Sequence, residues 1–249
     1  MKDKKGKKPT APYSLSPNSI KANNEFAEAN RVFSLLYKRF QQVMSLHWDP
    51  KKLNRLRRLI LEIIRTAPVE QTGNRKLWDG DFKKLEGFQL NTKNTATNVF
   101  RALITTSIDP NKGLSFYIPP FKYDVAFTKT HPNTTAAEVR LFMFSFDIVN
   151  KVSSGGSILL INQRHGEDLE KEYTFNLPLD NNRLTLIIRK VSFKSGSDHT
   201  DILDRQYIDA TLTHAIYLKD GQLVTFVPEP KEPLVQKIET PVGVWEDLG

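Results

Sequence analysis

The run Glu138-Val139-Arg140-Leu141-Phe142-Met143-Phe144-Ser145-Phe146-Asp147 sets the tightest limit on what this chain can fold into. It alternates with the period of a strand, yet its middle is apolar on both faces. Val139, Leu141 and Met143 fall on one side, and Phe142, Phe144 and Phe146 on the other. A strand apolar on both sides lies centrally in a sheet, with one layer packed above it and another below. A partner sheet is expected on one side and the helices that open the chain on the other.

Those helices are legible from their spacing. Ser16-Pro17 combines a capping hydroxyl with a proline at the first helical position, where its missing N–H costs nothing. Phe26, Ala29, Phe33, Leu36, Tyr37, Phe40, Val43 and Met44 then recur at three- and four-residue steps, which predicts an amphipathic helix over about 18–46. Asp49-Pro50 repeats the start signal. Leu53, Leu56, Ile60 and Ile63 form the inward stripe of a second helix that stops before Pro68. Only a few residues separate the two, so a helical hairpin is expected.

After about residue 82 the period changes. Strand-like runs occupy Leu85–Leu90, Val99–Thr106, Leu114–Ile118, Tyr123–Phe127, Ser157–Ile161, Tyr173–Leu177, Leu184–Phe193 and Gln206–Leu218, and Asp220-Gly221 then supplies hairpin-turn chemistry leading into Gln222–Val227. Nine or ten strands with no helix between them favour an antiparallel sandwich over an α/β sheet, and leave no place for a P-loop or dinucleotide fold. The expected fold is α+β, an N-terminal helical hairpin packed on an antiparallel β-sandwich, Ig-like or related. The expected parts are a basic arm (1–15), the hairpin and linker (16–81), the sandwich (82–227) and a proline-rich extended tail (228–249). Pro228, Pro230, Pro233 and Pro241 keep that tail out of any central strand.

Charge is distributed unevenly. Residues 1–84 hold 19 Lys and Arg against 8 Asp and Glu, whereas 85–249 hold 17 against 20, so the whole excess of +8 belongs to the N-terminal third. On the second helix Lys51, Lys52, Arg55, Arg58 and Arg65 lie away from the apolar stripe, and Lys2, Lys4, Lys5, Lys7 and Lys8 extend the basic surface as an arm. Such a set can neutralise several phosphates, in a manner that falls steeply with salt. No base-reading motif accompanies it, so any nucleic-acid contact is expected to be non-specific. A solvated or protein-docking face is the competing reading.

The segments Arg55–Thr66, Thr72-Gly73-Asn74-Arg75, Leu85-Glu86-Gly87-Phe88-Gln89-Leu90-Asn91, Tyr117-Ile118-Pro119-Pro120-Phe121 and Ala136–Asp147 together resemble a family of uncharacterised Bacteroidota proteins. That family shows a helical start, a G-x-R stretch, an L-x-G-F-x-F-N motif, an I-P-P-F motif, a strand ending in D-F-E, and a K-[ND]-G turn before a last strand. Leu218-Lys219-Asp220-Gly221 matches the turn, while Leu90 and Ile148-Val149 depart from the pattern. The likeness spans roughly 18–227 and implies one compact helix-plus-β unit with no assigned chemistry.

Catalytic and metal constellations are sparse. The chain has no cysteine, which excludes disulfides, thiolate metal sites and a cysteine nucleophile. His47, His131, His165, His199 and His214 show no ligand spacing, and no metal or other cofactor is expected. His214, beside Leu212 and Ile216, reads as a hydrogen-bonded core histidine. Asp198-His199-Thr200-Asp201-Ile202-Leu203-Asp204 offers oxygens without calcium-loop spacing, and Glu167–Glu172 reads as a solvated loop. Ser153-Ser154-Gly155-Gly156-Ser157 lacks the ending of a phosphate loop and reads as a flexible turn. No G-x-S-x-G elbow occurs.

The chain is therefore expected to be a non-enzymatic structural or assembly protein that engages a protein partner or its own copies through sheet edges and extended termini. Leu234, Val235, Ile238 and Trp245 of the tail are the expected anchors. A nucleic-acid- or ribosome-associated accessory protein using the basic third is the alternative. A carbohydrate-binding or hydrolytic sandwich is a third reading, weakened because Trp48, Trp78 and Trp245 fall outside the strands. No signal peptide or transmembrane segment is visible, so no membrane contact and a cytoplasmic location are expected.

Overall fold

A computed structural model of the chain describes residues 14–43, 50–91, 99–109 and 113–228. Most of the basic arm, the connection at 44–49 (with Met44, His47, Trp48 and Asp49) and the tail beyond 228 lie outside the described residues. The described chain is α+β, with antiparallel sheets.

Helix α1 spans Pro17–Val43 and α2 Pro50–Ile64. Ser16 caps α1 as its hydroxyl predicts: its Oγ accepts the Ser19 amide at 3.2 Å and its carbonyl the Ile20 amide at 3.0 Å. Ala29, Val32, Phe33, Leu36, Phe40 and Val43 form the buried face of α1, against Leu56, Ile60 and Ile63 of α2. Phe26, expected in that stripe, is exposed instead. Glu25 and Glu28 hold the buried positions of this part of the helix because cations of the segment after α2 meet them there.

The larger sheet contains β3 (Thr134–Asp147), β4 (Val152–Arg164), β6 (Arg183–Ser195), β8 (Asp209–Lys219) and β9 (Gln222–Leu223), in the order β4-β3-β6-β8-β9, with β7 (Thr200–Asp201) paired to β6. The smaller sheet runs β1 (Thr105–Asp109), β2 (Gly113–Ile118), β5 (Tyr173–Leu177). Strand β3 is central and covered on both faces, as its composition demands. Phe142, Phe144 and Phe146, with Leu184, Leu186 and Ile188 of β6, share one core with α1 and α2. Leu141, Ile187 and Ile216 share another with Leu114, Phe116 and Leu177 of the smaller sheet. A third core, under residues 99–127, joins Val139, Val191 and Phe193 to Phe100, Tyr123 and Phe127.

Several expected strands differ. Tyr123–Ala126 is a short helix, α3, and Tyr123 meets Phe127, the residue that caps its end, at 4.8 Å as an i,i+4 pair. In five residues an alternating and a one-turn pattern put the same two rings on one face, so the spacing alone does not separate them. Residues 99–104 form a single bridge at Phe100 before β1 begins at Thr105, and β8 begins at Asp209 after a 3-10 turn at Arg205–Tyr207. Ser153–Ser157 is no turn: these residues pair with Phe142–Phe146 inside β4. Gly155 fits there because its φ is +126° and a Cβ would lie 2.0 Å from the Met143 carbonyl oxygen. The connection Ile148–Lys151 makes the turn instead, with Lys151 at φ 58°. At the far hairpin Asp220 (φ 51°) and Gly221 (φ 77°) are both left-handed, as a two-residue turn requires, although β9 is only two residues long.

Candidate functional site

Two features of the larger sheet stand out, and both involve β4. The first is a difference between the sheet's rims. On the β8 side the rim is occupied. Gly87 and Leu90 donate their amides to the carbonyls of Leu212 and Ala210 at 2.8 and 2.7 Å, and the Leu212 amide donates to Phe88 at 2.9 Å. Glu86 Oε1 accepts the Ala215 amide at 2.9 Å, and β9 with Val224 closes the remainder. The expected strand at Leu85–Leu90 is thus a 3-10 turn followed by a short pairing on β8.

The opposite rim is β4, 13 residues long, with no strand beyond it among the described residues. From Val152 to Gln163 it carries no charged residue and no proline. Edge strands that avoid pairing use lysine, proline, short length or a cover. β4 has a bulge where Val139 and Arg140 pair with Ile161 and Leu159, and Arg39 of α1 donates its Nη2 to the Ser153 carbonyl at the start of the strand. Ser154, Gly155, Gly156 and Asn162 are exposed.

The second feature is a cleft of ≈ 380 Å³ on the helix-facing side of the sheet, beyond the end of α1. Even-numbered positions of β3 and β6 face the helices, and beyond Phe142 and Ile188 those positions turn polar. Glu138 stands across from Ser192, and Arg140 directly across from Lys190. Lys194, Asp201, Gly156 and, from α1, Gln42 complete the walls, with Phe142 on the floor. Glu138 is buried and grips Arg140 as a fork, Nε to Oε1 at 3.1 Å and Nη2 to Oε2 at 3.0 Å. Lys194 lies 3.8 Å from Glu138 Oε2 and also pairs with Asp201. Lys190 makes no hydrogen bond or ion pair with any described residue. Burial pulls its pKa below the usual lysine value; Asp201 and Glu138 oppose that shift, and Arg140 and Lys194 reinforce it.

The residues singled out from sequence are elsewhere. Lys4, Lys5, Lys7 and Lys8 of the arm, and Leu234, Val235, Ile238 and Trp245 of the tail, lie outside the described residues. Lys51 and Lys52 are in the first turn of α2. Arg55 and Arg58 are exposed, the former with its guanidinium 5.3 Å from the Phe88 ring centre and the latter paired to Glu62 at 2.8 Å. Arg65 reaches Glu25 at 3.7 Å. The cleft escaped sequence reasoning, although the pattern Glu138-x-Arg140 matched by Lys190-x-Ser192-x-Lys194, on the face that elsewhere carries phenylalanines, was its one local signal.

The other polar clusters have local partners. Asp198 accepts the Thr200 hydroxyl at 2.7 Å, and Asp204 caps the Arg205–Tyr207 turn through the Gln206 amide at 3.0 Å. Asp168, in the acidic loop, accepts the Tyr123 amide at the start of α3 at 2.8 Å. Among the described residues no group of three or more His, Asp or Glu is arranged to hold a metal ion, and no helix is long and apolar enough to cross a membrane. No protein-family model, curated protein or solved structure matches the chain.

Proposed function

We propose that this protein is a non-enzymatic assembly component whose β4 rim takes up an extended segment from a neighbouring copy. The observation that carries the reading is the contrast between rims: one is occupied by residues 86–90 and β9, and the other is a long strand with neither charge nor proline from Val152 to Gln163. Added strands gain main-chain hydrogen bonds from such an edge and specificity from alternate side chains. The tail supplies a fitting donor sequence. Between Pro233 and Pro241 it has one proline-free stretch, Leu234-Val235-Gln236-Lys237-Ile238-Glu239-Thr240, with Leu234 and Ile238 on one face of an extended chain. In this reading the two packed sheets are an Ig-like or related sandwich acting as a rigid frame.

Light scattering across the micromolar range tests the reading. The full chain is expected to have a mass of two or more copies, and a chain ending at residue 228 to be monomeric. The double variant Ser154→Lys/Asn162→Lys, which adds rim charges at exposed positions, is expected to be monomeric too. A full chain that stays monomeric throughout the range overturns it. The nucleic-acid reading draws less support, because Arg58 and Arg65 already face carboxylates of the same chain.

A further inference from the structure

We infer that the cleft between β3, β6 and the end of α1 is a binding site for a small oxyanion, a carboxylate or phosphate group, with Lys190 as the cation that meets it. Like charges directly opposite on paired strands repel, and Arg140 and Lys190 are such a pair. A half-buried ammonium without a partner loses hydration that nothing in the described chain restores. The neighbouring carboxylates do not repair this. Glu138 is taken by the Arg140 fork and by Lys194, and Asp201 by Lys194.

Three cations and two carboxylates therefore leave one positive charge uncompensated, and of the cleft's cations Lys190 is the one with no hydrogen bond or ion pair to a described residue. The cavity of ≈ 380 Å³ is at the small end of ligand clefts. Its other walls suit a compact acid. Ser192 places a hydroxyl two residues along the same face, Gly156 contributes no side chain, and Phe142 offers an apolar floor. An oxyanion seated beside Lys190 also screens it from Arg140, so one ligand relieves both the repulsion and the desolvation.

The inference stands apart from strand exchange at the β4 rim and is tested separately, on the full-length chain. Thermal unfolding is followed in sodium phosphate, in sodium malonate and in sodium chloride of equal ionic strength. The wild type is expected to gain Tm saturably in phosphate or in malonate and not in chloride, and the more effective of the two identifies the group. Lys190→Met is expected to melt about 2–4 °C above the wild type in chloride, as removal of an unpaired cation does, and to lose the anion response. Lys190→Arg, which keeps the charge, is expected to retain it. A wild type with no saturable gain in either anion, or a Lys190→Met protein that responds as the wild type does, overturns the inference.

Discussion

His214 shows how one inserted residue redirects a side chain. Its neighbours Leu212 and Ile216 suggest a single buried face, but Ile187 pairs with His214 and Ile188 with Leu212, so Thr213 is a bulge. Leu212 packs toward the helices, while His214 joins Ile216 on the side of the smaller sheet. There its Nε2 lies 2.9 Å from Thr106 Oγ1, its Nδ1 lies 3.0 Å from Thr213 Oγ1, and the ring meets Phe116 edge-on. The expectation of a hydrogen-bonded histidine thus holds, with its facing corrected. Burial lowers its pKa, Glu86 opposes the shift and Lys83 adds to it. The unfolded chain therefore takes up the proton first as pH falls, so this stabilisation is present above an unfolded pKa of about 6.5 and is lost progressively below it. His214→Asn is expected to flatten the decline of Tm between roughly pH 7 and 5 relative to the wild type. Parallel melts of the two proteins across that range check it.

At the scale of elements, helix α1 is fixed to the chain after α2 by a buried ionic joint. Arg75 donates Nη1 to Glu25 at 3.4 Å and Nε to the Pro68 carbonyl at 3.0 Å, and the Gly73 amide also reaches Glu25 at 3.2 Å. Lys76 approaches Glu28 at 3.4 Å. Breaking one side of such a pair strands the other charge, so Arg75→Met is expected to cost about 3 kcal/mol, and Glu25→Gln/Arg75→Met appreciably less. Urea unfolding of the three proteins measures both. Much of this layer was legible beforehand. Caps and stripes place α1 and α2, because helix signals lie within a few residues of one another. The two apolar faces of β3 anticipate a cover on each side. The cleft was not legible, since the meeting of Arg140 with Lys190 depends on a register between strands far apart in sequence. Nor was the role of Glu25, whose partner Arg75 belongs to another segment and whose apolar neighbour Phe26 carries the stronger local signal.

For the molecule as a whole, the helices are part of the core rather than an appendage. Phe142, Phe144 and Phe146 with Leu184, Leu186 and Ile188 are 9% exposed or less, and α1 and α2 share the core that covers them. Full burial of one such side chain is worth about 1.5–3 kcal/mol. A fragment starting at residue 82 therefore bares a contiguous apolar face and is expected to be recovered mainly in the insoluble fraction, whereas the full chain stays in solution. Fractionation after expression of both distinguishes them. The expected border at residue 82 falls at the start of a 3-10 turn, Phe82–Leu85, whose Phe82 and Leu85 lie in the same core as the helices and the larger sheet.

The filled flank of β8 has a bearing on architecture at larger scale. In the assembly proposed above, a subunit whose β8 flank is filled offers one socket and one plug and joins at most two others, so the proposal calls for threads or closed loops and leaves branching networks out of reach.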